Sequence, residues 1–459
     1  MGNTEGTGGS APTGGSDPTG GSGTTGGGGT AGAIEPMSGG GAGRAGSGGT
    51  TCSSADFAVT SSLSTTIPTV GIVDWSFRGP MTEAHIDFGR TAGTWEFRAP
   101  VTNPSAGSQR TLLLGMKALT TYSYQVVVTS SGTPCASETG TITTGRLGAG
   151  LPTITLDTPR PGEVYEGFTM SCQPDGQNPG VAFIFDQDGE IVWWFRGTAT
   201  SDCTQVAMSY DGQYLFMGSL NMGLAGGGRL ARVTMDGVGE ESYDVPDLHH
   251  DFCIGPDGKI AYLEYDDRGC DNVKELDPET GVATQVYAMA DANPAQADDC
   301  HSNAINWWPA ENLYTVSALY WNAIAAFSRN GQLAWLIGGD SPTISGASWN
   351  RQHNHDLTSA NSLLVFSNEG SGASSVVREY EWIGDSATEI WSYSGGLQSN
   401  TLGDVKRLPN GNTLVTYSNL GVIHEVNASG QLVQSIDARY LGYVIRRTTL
   451  YGPPPPWVR

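Results

Sequence analysis

From about residue 153 to the C-terminus, short apolar, aromatic or β-branched runs alternate with a recurring polar turn. Asp188-Gly189, Asp211-Gly212, Asp236-Gly237, Asp257-Gly258, Asn330-Gly331, Asn410-Gly411 and Ser429-Gly430 each join two such runs. Asp-Gly and Asn-Gly in that setting are strong hairpin signals, because both central residues tolerate positive φ. The first four lie 21–25 residues apart, one hairpin each, so two hairpins make a four-stranded blade. Roughly three hundred residues at about fifty per blade predict about six blades. No helical period of useful length competes with this pattern. The expected fold is all-β: a roughly six-bladed β-propeller over residues 153–459.

Two shorter regions precede it. Residues 52–145 alternate apolar and polar positions in Ala58–Thr60, His85–Gly89, Thr111–Gly115 and Ser123–Val128, with Gly, Pro and Ser/Thr turns between them. About ninety residues of such strands predict a small β-sandwich. Leu119-Thr120-Thr121-Tyr122-Ser123-Tyr124-Gln125-Val126 resembles the fibronectin type III segment in which a Tyr packs at a strand corner. His85, on an alternating strand there, is expected to be structural. Residues 1–51 are almost entirely Gly, Ser, Thr, Ala and Pro. Such a segment cannot bury enough apolar surface to offset its ordering entropy, so a disordered tether is expected.

Charge and cysteine content narrow the function. Acids outnumber bases 46 to 23, a net charge of −23. Nucleic acid and anionic membrane surfaces both need a basic footprint and are not expected partners. An anionic substrate would need local Arg, His or backbone donors against this field. The seven cysteines lack zinc-site spacing and suit an extracytoplasmic protein with three disulfides and one free thiol. Cys52–Cys135 would staple the sandwich, with Cys172–Cys203 and Cys253–Cys270 plausible locally. Cys300 would then be free, or pair instead with Cys270 or Cys253. No stretch is apolar enough to span a bilayer, and no signal peptide opens the chain; the expectation is export to the periplasm or cell surface, with any membrane tether upstream of residue 1. Oligomeric state is not legible.

Candidate chemistry concentrates in three clusters. Of seven histidines, five lie in His249-His250-Asp251, His301-Ser302-Asn303 and Gln352-His353-Asn354-His355. Clusters about fifty residues apart are expected at like positions of successive blades, facing one another across one funnel. Imidazole suits nucleophilic attack, proton transfer or metal binding near pH 7.

Along residues 155–450 these clusters, in order, resemble the bacterial arylsulfate sulfotransferases. The resemblance runs from His249-His250-Asp251 with Gly255-Pro256-Asp257-Gly258, through Asp299-Cys300-His301-Ser302-Asn303-Ala304-Ile305, to Asn330–Gly339. It continues with Gln352-His353 and Leu363–Gly370, then Gly403–Leu414 and Ile423-His424-Glu425-Val426. It implies ping-pong transfer of a sulfuryl group from a phenolic sulfate donor to a phenolic acceptor through a sulfohistidine, with no adenylyl-phosphosulfate cofactor. The distance to Phe366 matches the family's nucleophile at His353, leaving His355 as an acid/base or supporting residue. His301 and Asn303 would bind the sulfuryl group, with His249, Gln352 and Arg351 as further binding residues. His250 would assist protonation. Asp251, Asp299 and Asp356 would orient imidazoles or turns. The family's anion-binding Arg is replaced by Leu319, for which Arg351, Arg378 or Arg268 are candidate substitutes.

Two other readings remain at this point. One is a non-catalytic cell-surface propeller that binds protein or glycan, consistent with the tether, the fibronectin-like module and Leu319. The other is a zinc or copper site on three converging imidazoles. The expected chemistry uses no metal, and acidic stretches such as Asp266-Asp267-Arg268 are expected to be solvated turns.

Overall fold

The computed structural model describes residues 52–174, 180–197, 199, 202–219, 228–266 and 269–453. The Gly-rich residues 1–51, with the tether expected there, and Asp267 and Arg268 lie outside the described residues. Cys52–Arg459 form one compact unit.

The hairpins stack into six sheets that follow one another along the chain. The fold is a six-bladed β-propeller. Blades 2 to 5 are continuous in sequence, beginning at Cys203–Met208, Leu248–Ile254, Ser302–Trp308 and Gln352–Ser359 respectively. Blades 1 and 6 borrow strands. The late strand Ile445–Arg447 pairs with Phe168–Cys172 as the axis-side strand of blade 1. The early strand Thr155–Asp157 pairs outside Leu432–Asp437 on blade 6, whose first strand is Asp404–Arg407. Both ends of the propeller sequence are thereby tied into the ring.

All seven turn glycines read from the sequence have positive φ, from 70° at Gly237 to 86° at Gly411. The Asp, Asn or Ser before each does not. Each glycine N–H instead reaches the carbonyl three residues back, as in Gly258 N to Gly255 O at 3.0 Å and Gly331 N to Ser328 O at 2.8 Å. These are type I turns closed by one left-handed glycine, not the two-residue turns with both centres at positive φ that the dipeptides suggest. At Asp211, Asp236, Asp257 and Asn410 that preceding side chain caps the turn, as where Asp211 Oδ1 accepts from Gln213 N at 3.0 Å.

Buried polar side chains knit the axis-side strands together. Asp251 accepts from Phe252 N and, across to blade 4, from Ile305 N at 2.9 Å. Gln205 Nε2 donates to Asp251 Oδ1 at 3.1 Å. Asn306 Nδ2 donates to Asn354 Oδ1 at 2.9 Å, and Lys406 Nζ to Asn306 Oδ1 at 2.7 Å. Arg407 N donates to Asp356 Oδ2 at 3.0 Å, and Val444 N to Asp404 Oδ2 at 2.9 Å. Burial pushes the Asp251 carboxyl up to about 7 and that of Asp404 up to about 6. Asp251 and Asp356 thus hold neighbouring strands, where the sequence suggested that they orient imidazoles.

Two facing sheets precede the ring, with strand orders Phe57–Leu63, Gly71–Phe77, Gln109–Leu113 and Phe97–Pro100, Glu83–Gly89, Thr121–Ser130, Thr133–Ala136. They share one core around Trp75, Ile86, Phe88 and Val126. The Tyr122 hydroxyl accepts from Lys117 N at 2.9 Å, closing a strand corner. The sandwich contacts the ring through Thr69 Oγ1, which donates to Val192 O at 2.6 Å, and Lys117, 2.6 Å from Asp188.

Disulfides join Cys52–Cys135, Cys172–Cys203 and Cys270–Cys300, and Cys253 is a buried free thiol. The local pairing Cys253–Cys270 is therefore corrected. Cys253 lies inside the axis-side strand Leu248–Ile254, whereas Cys270 and Cys300 each precede a strand at the same end of adjacent blades.

Candidate active site

The axis-side strands open in an unusual conformation. Asp202, His250, His301, Arg351 and Leu402 have φ of 56°, 56°, 44°, 57° and 53°, one at the start of the first strand of each of blades 2 to 6. None is glycine, so each costs about 1–3 kcal/mol that the surrounding structure must hold in place. Strand pairing is irregular just beyond, at Cys203/Gln205, His249/Phe252, Ser302/Ala304 and Gln352/His355. A bulge re-aims side chains that regular alternation would send to opposite faces.

This brings His249, His250, His301, Arg351 and His353 together at one mouth. The His250 and His301 rings sit edge to face with centroids 4.9 Å apart. His249 Nδ1 meets His250 Nδ1 at 2.7 Å. Tyr265 stacks on His249 at 3.9 Å, and the half-exposed Tyr320 lies 4.9 Å from His301. His353 is buried and held at both nitrogens. Nδ1 is 2.5 Å from Asn368 Oδ1, and Leu402 N donates to Nε2 at 3.0 Å. The backbone donor requires a lone pair on Nε2, so Nδ1 bears the proton given to Asn368.

Electrostatics keep His250, His301 and His353 neutral at pH 7. Burial pushes His353 down to about 4, against the pull of Asn368, with His301 and Arg351 adding to the fall. Burial also lowers His250, helped by His249, His301 and His353. It lowers His301 against the opposing pull of Asp271. The exposed Arg351 has no hydrogen-bond or ion-pair partner for its guanidinium among the described residues; its backbone N–H donates to Asn322 Oδ1 at 2.7 Å.

Other sequence candidates sit apart. His355 is fully buried, with Nε2 2.7 Å from Thr315 Oγ1 on blade 4, and burial followed by Lys406 pushes it down to about 3. Gln352 donates to the Ala318 and Ala323 carbonyls at 2.8 and 3.1 Å, and Asn303 Nδ2 donates to Gln352 O at 2.8 Å. Both side chains are completely buried, and each leaves its amide oxygen unpartnered among the described residues. Leu319 is buried, with its N–H on His301 O at 3.1 Å. Arg378 is paired with Glu369 and, at 3.5 Å, with Glu389 on the outer strands of blade 5. His424 on blade 6 bonds Tyr393 of blade 5 at 2.9 Å, and His85 lies 3.3 Å from Asp87 in the sandwich.

The carboxylate nearest the cluster is one that sequence reasoning missed. Asp271 Oδ1 is 3.1 Å from His249 Nε2, and Asp271 lies next to the Cys270–Cys300 disulfide. Asn368 was also missed as a histidine partner. Among the described residues no group of three or more His, Cys, Asp or Glu is arranged to hold a metal ion. A cleft of about 530 Å³ at the seam between sandwich and ring is remote from these histidines; its Lys117 and Arg90 are paired with Asp188 and Glu96.

Residues 271–439 match the arylsulfotransferase (ASST) family. That segment is arylsulfotransferase-like. The matched segment holds His301, Asn303, Arg351, Gln352, His353 and His355, and begins at Asp271; His249 and His250 precede it. No curated protein matches the chain. Among solved structures it is similar to a Bacteroides caccae protein of unknown function at 14% identity and TM-score 0.44, covering 61% of this chain and 99% of that one. Virginiamycin B lyase from Staphylococcus aureus follows at 13% and 0.39, covering 61% and 88%. The Pseudomonas aeruginosa periplasmic gluconolactonase PpgL stands at 15% and 0.40, covering 70% and 94%. At these scores none bears on activity.

Proposed function

We propose that this arylsulfotransferase-like chain moves a sulfuryl group from a phenolic sulfate ester to a phenol through a sulfohistidine. The observation that carries the reading is the convergence of neutral His250, His301 and His353 with the unpartnered Arg351 at one mouth. A neutral imidazole attacks sulfur without prior deprotonation, and a phenolate of pKa about 10 leaves far more readily than an alkoxide.

His353 is the nucleophile in this account. Asn368 fixes its tautomer with the lone pair on Nε2, the role a third group plays in other activated nucleophiles. Leu402 N–H occupies that lone pair at rest and yields it as the donor binds. Arg351 and the ring N–H of His301 offer donors to the sulfuryl oxygens in place of the Arg that Leu319 replaces. Asn303 and Gln352 support the mouth from beneath, and His355 braces blade 5 against blade 4.

Three disulfides support a site of action outside the cytoplasm. The strand order and Tyr122 corner support a fibronectin III-like reading of residues 52–145, joined to a propeller over 153–459.

The test is release of nitrophenolate from 4-nitrophenyl sulfate with phenol as acceptor. Phenol-dependent turnover is expected in the wild type, lost in His353→Ala and retained in folded His355→Gln. Leu319 favours one rival, a non-catalytic propeller binding protein or glycan. Absence of turnover over several aryl sulfates would move the weight to that rival.

A further inference from the structure

We propose that Asp271 and His249 are positioning residues that fix the tautomer of His250, leaving its Nε2 lone pair to take the acceptor phenol's proton. The chemical half of this proposal rests on the sulfuryl-transfer reading; the tautomer does not.

Adjacent residues of a regular strand point to opposite faces. Here the irregular pairing at His249/Phe252 and the positive φ of His250 turn both rings to the same side, so that their Nδ1 atoms meet at 2.7 Å with the rings at 89°. Two ring nitrogens at that distance require one to carry a proton and the other a lone pair. The far end of His249 decides which. Its Nε2 lies 3.1 Å from Asp271 Oδ1, an ion-pair distance without aligned hydrogen-bond geometry; both groups are buried, and neither atom has a hydrogen-bond partner among the described residues. A carboxylate oxygen at that distance favours a facing N–H over a facing lone pair, so His249 carries its proton on Nε2 and presents a lone pair at Nδ1. His250 must then donate from Nδ1, which leaves its Nε2 unprotonated in a ring that meets His301 edge to face.

The relay is built in rather than incidental. Asp271 Oδ2 accepts from Ser302 N at 2.5 Å, the residue after His301. The Cys270–Cys300 disulfide clamps the same two segments. Tyr265 stacks on His249 with the planes 12° apart, fixing the ring's rotation.

In the second half-reaction the phenol O–H bond breaks and its proton goes to His250 Nε2. The phenolate oxygen bonds to sulfur, the sulfur–nitrogen bond breaks, and its electron pair returns to His353. His250 then passes the proton to water or to the phenolate released in the first half. Asp271, acting through His249, offsets the charge on the transient imidazolium without itself being protonated.

Asp271→Asn tests this directly. Its amide oxygen can keep the Ser302 N–H while its NH2 group donates to His249, reversing both tautomers and placing a proton on His250 Nε2. Phenol-dependent kcat should fall about 10²–10⁴-fold. The single-turnover burst of nitrophenolate from the donor should persist, because His250 is not needed there; a merely structural defect would reduce both. Asp271→Asn should not add to His250→Ala. Nitrogen-15 spectra of labelled histidine give a readout free of activity: His250 Nε2 is expected unprotonated in the wild type and protonated in Asp271→Asn. A protonated Nε2 in the wild type, or Asp271→Asn turning over normally, would overturn the proposal. Absence of turnover by the wild type would remove the sulfuryl-transfer reading, with the spectra still deciding the relay.

Discussion

At the scale of single residues, the mouth combines groups that most surfaces keep apart: neutral imidazoles, a free guanidinium and left-handed backbone. Arg351 is exposed and lacks a side-chain partner, so its replacement should leave the fold intact. Arg351→Ala should raise KM for an aryl sulfate about 10-fold, the effect of losing one charge-assisted contact, and Arg351→Lys should recover only part of it. Initial-rate kinetics over a range of donor concentrations check both. Much of this scale was legible, because histidines spaced about fifty residues apart in a radial fold had to meet near its axis. Asp271 was not. It comes near His249 only through the pairing of its strand within blade 3 and a disulfide whose partners the spacing left open. Nor could the chain show that His353 and His355 serve different faces, since a two-residue interval normally implies one face and the bulge at Gln352/His355 changes that.

At the scale of elements, hairpin turns and buried polar pins set stability. Gly258 has φ of 80° with open space around an added Cβ, so Gly258→Ala should cost only about 1 kcal/mol of backbone strain. At Gly421, also left-handed, a Cβ would overlap the Arg439 carbonyl at 1.1 Å, and the alanine variant should be far less stable or fail to fold. Denaturant midpoints compare the two. Buried histidines add a pH term. His353 and His355 lie at about 4 and 3 in the fold, below the ordinary 6.5 expected when unfolded. The unfolded chain therefore binds more protons between about pH 3 and 6.5, and these groups make stability rise with pH across that window. Asp251, raised to about 7, acts in the opposite sense: the folded state binds the extra proton, and its contribution falls between about pH 4 and 7. Melting temperature against pH should thus show a shallower acid-side rise in His355→Gln and a steeper one in Asp251→Asn. Turn positions were legible here because glycine marks them; the turn type was not, since Asp-Gly serves two turn geometries.

At the scale of the whole molecule, the ring is closed by segments distant in sequence, and disulfides tie blade to blade. Periodicity foretold about six blades, but no repeat signal says that Ile445–Arg447 completes the first blade while Thr155–Asp157 extends the last. Removing Cys270–Cys300 as a double Ser variant opens a loop with a separation of 30 residues. On chain entropy that should cost about 3–4 kcal/mol of stability, and it should also lower activity because the bond flanks Asp271 and His301. Thermal melts paired with turnover check this. The account's central claim is that a sulfuryl group passes through an imidazole at this mouth. Its most direct test is to mix protein with excess 4-nitrophenyl sulfate and no acceptor, quench near neutral pH, and map the modified peptide by mass spectrometry. A single sulfuryl group on His353, discharged by added phenol, is the predicted result; phenol-dependent turnover with no covalent adduct, or an adduct away from these histidines, would contradict it.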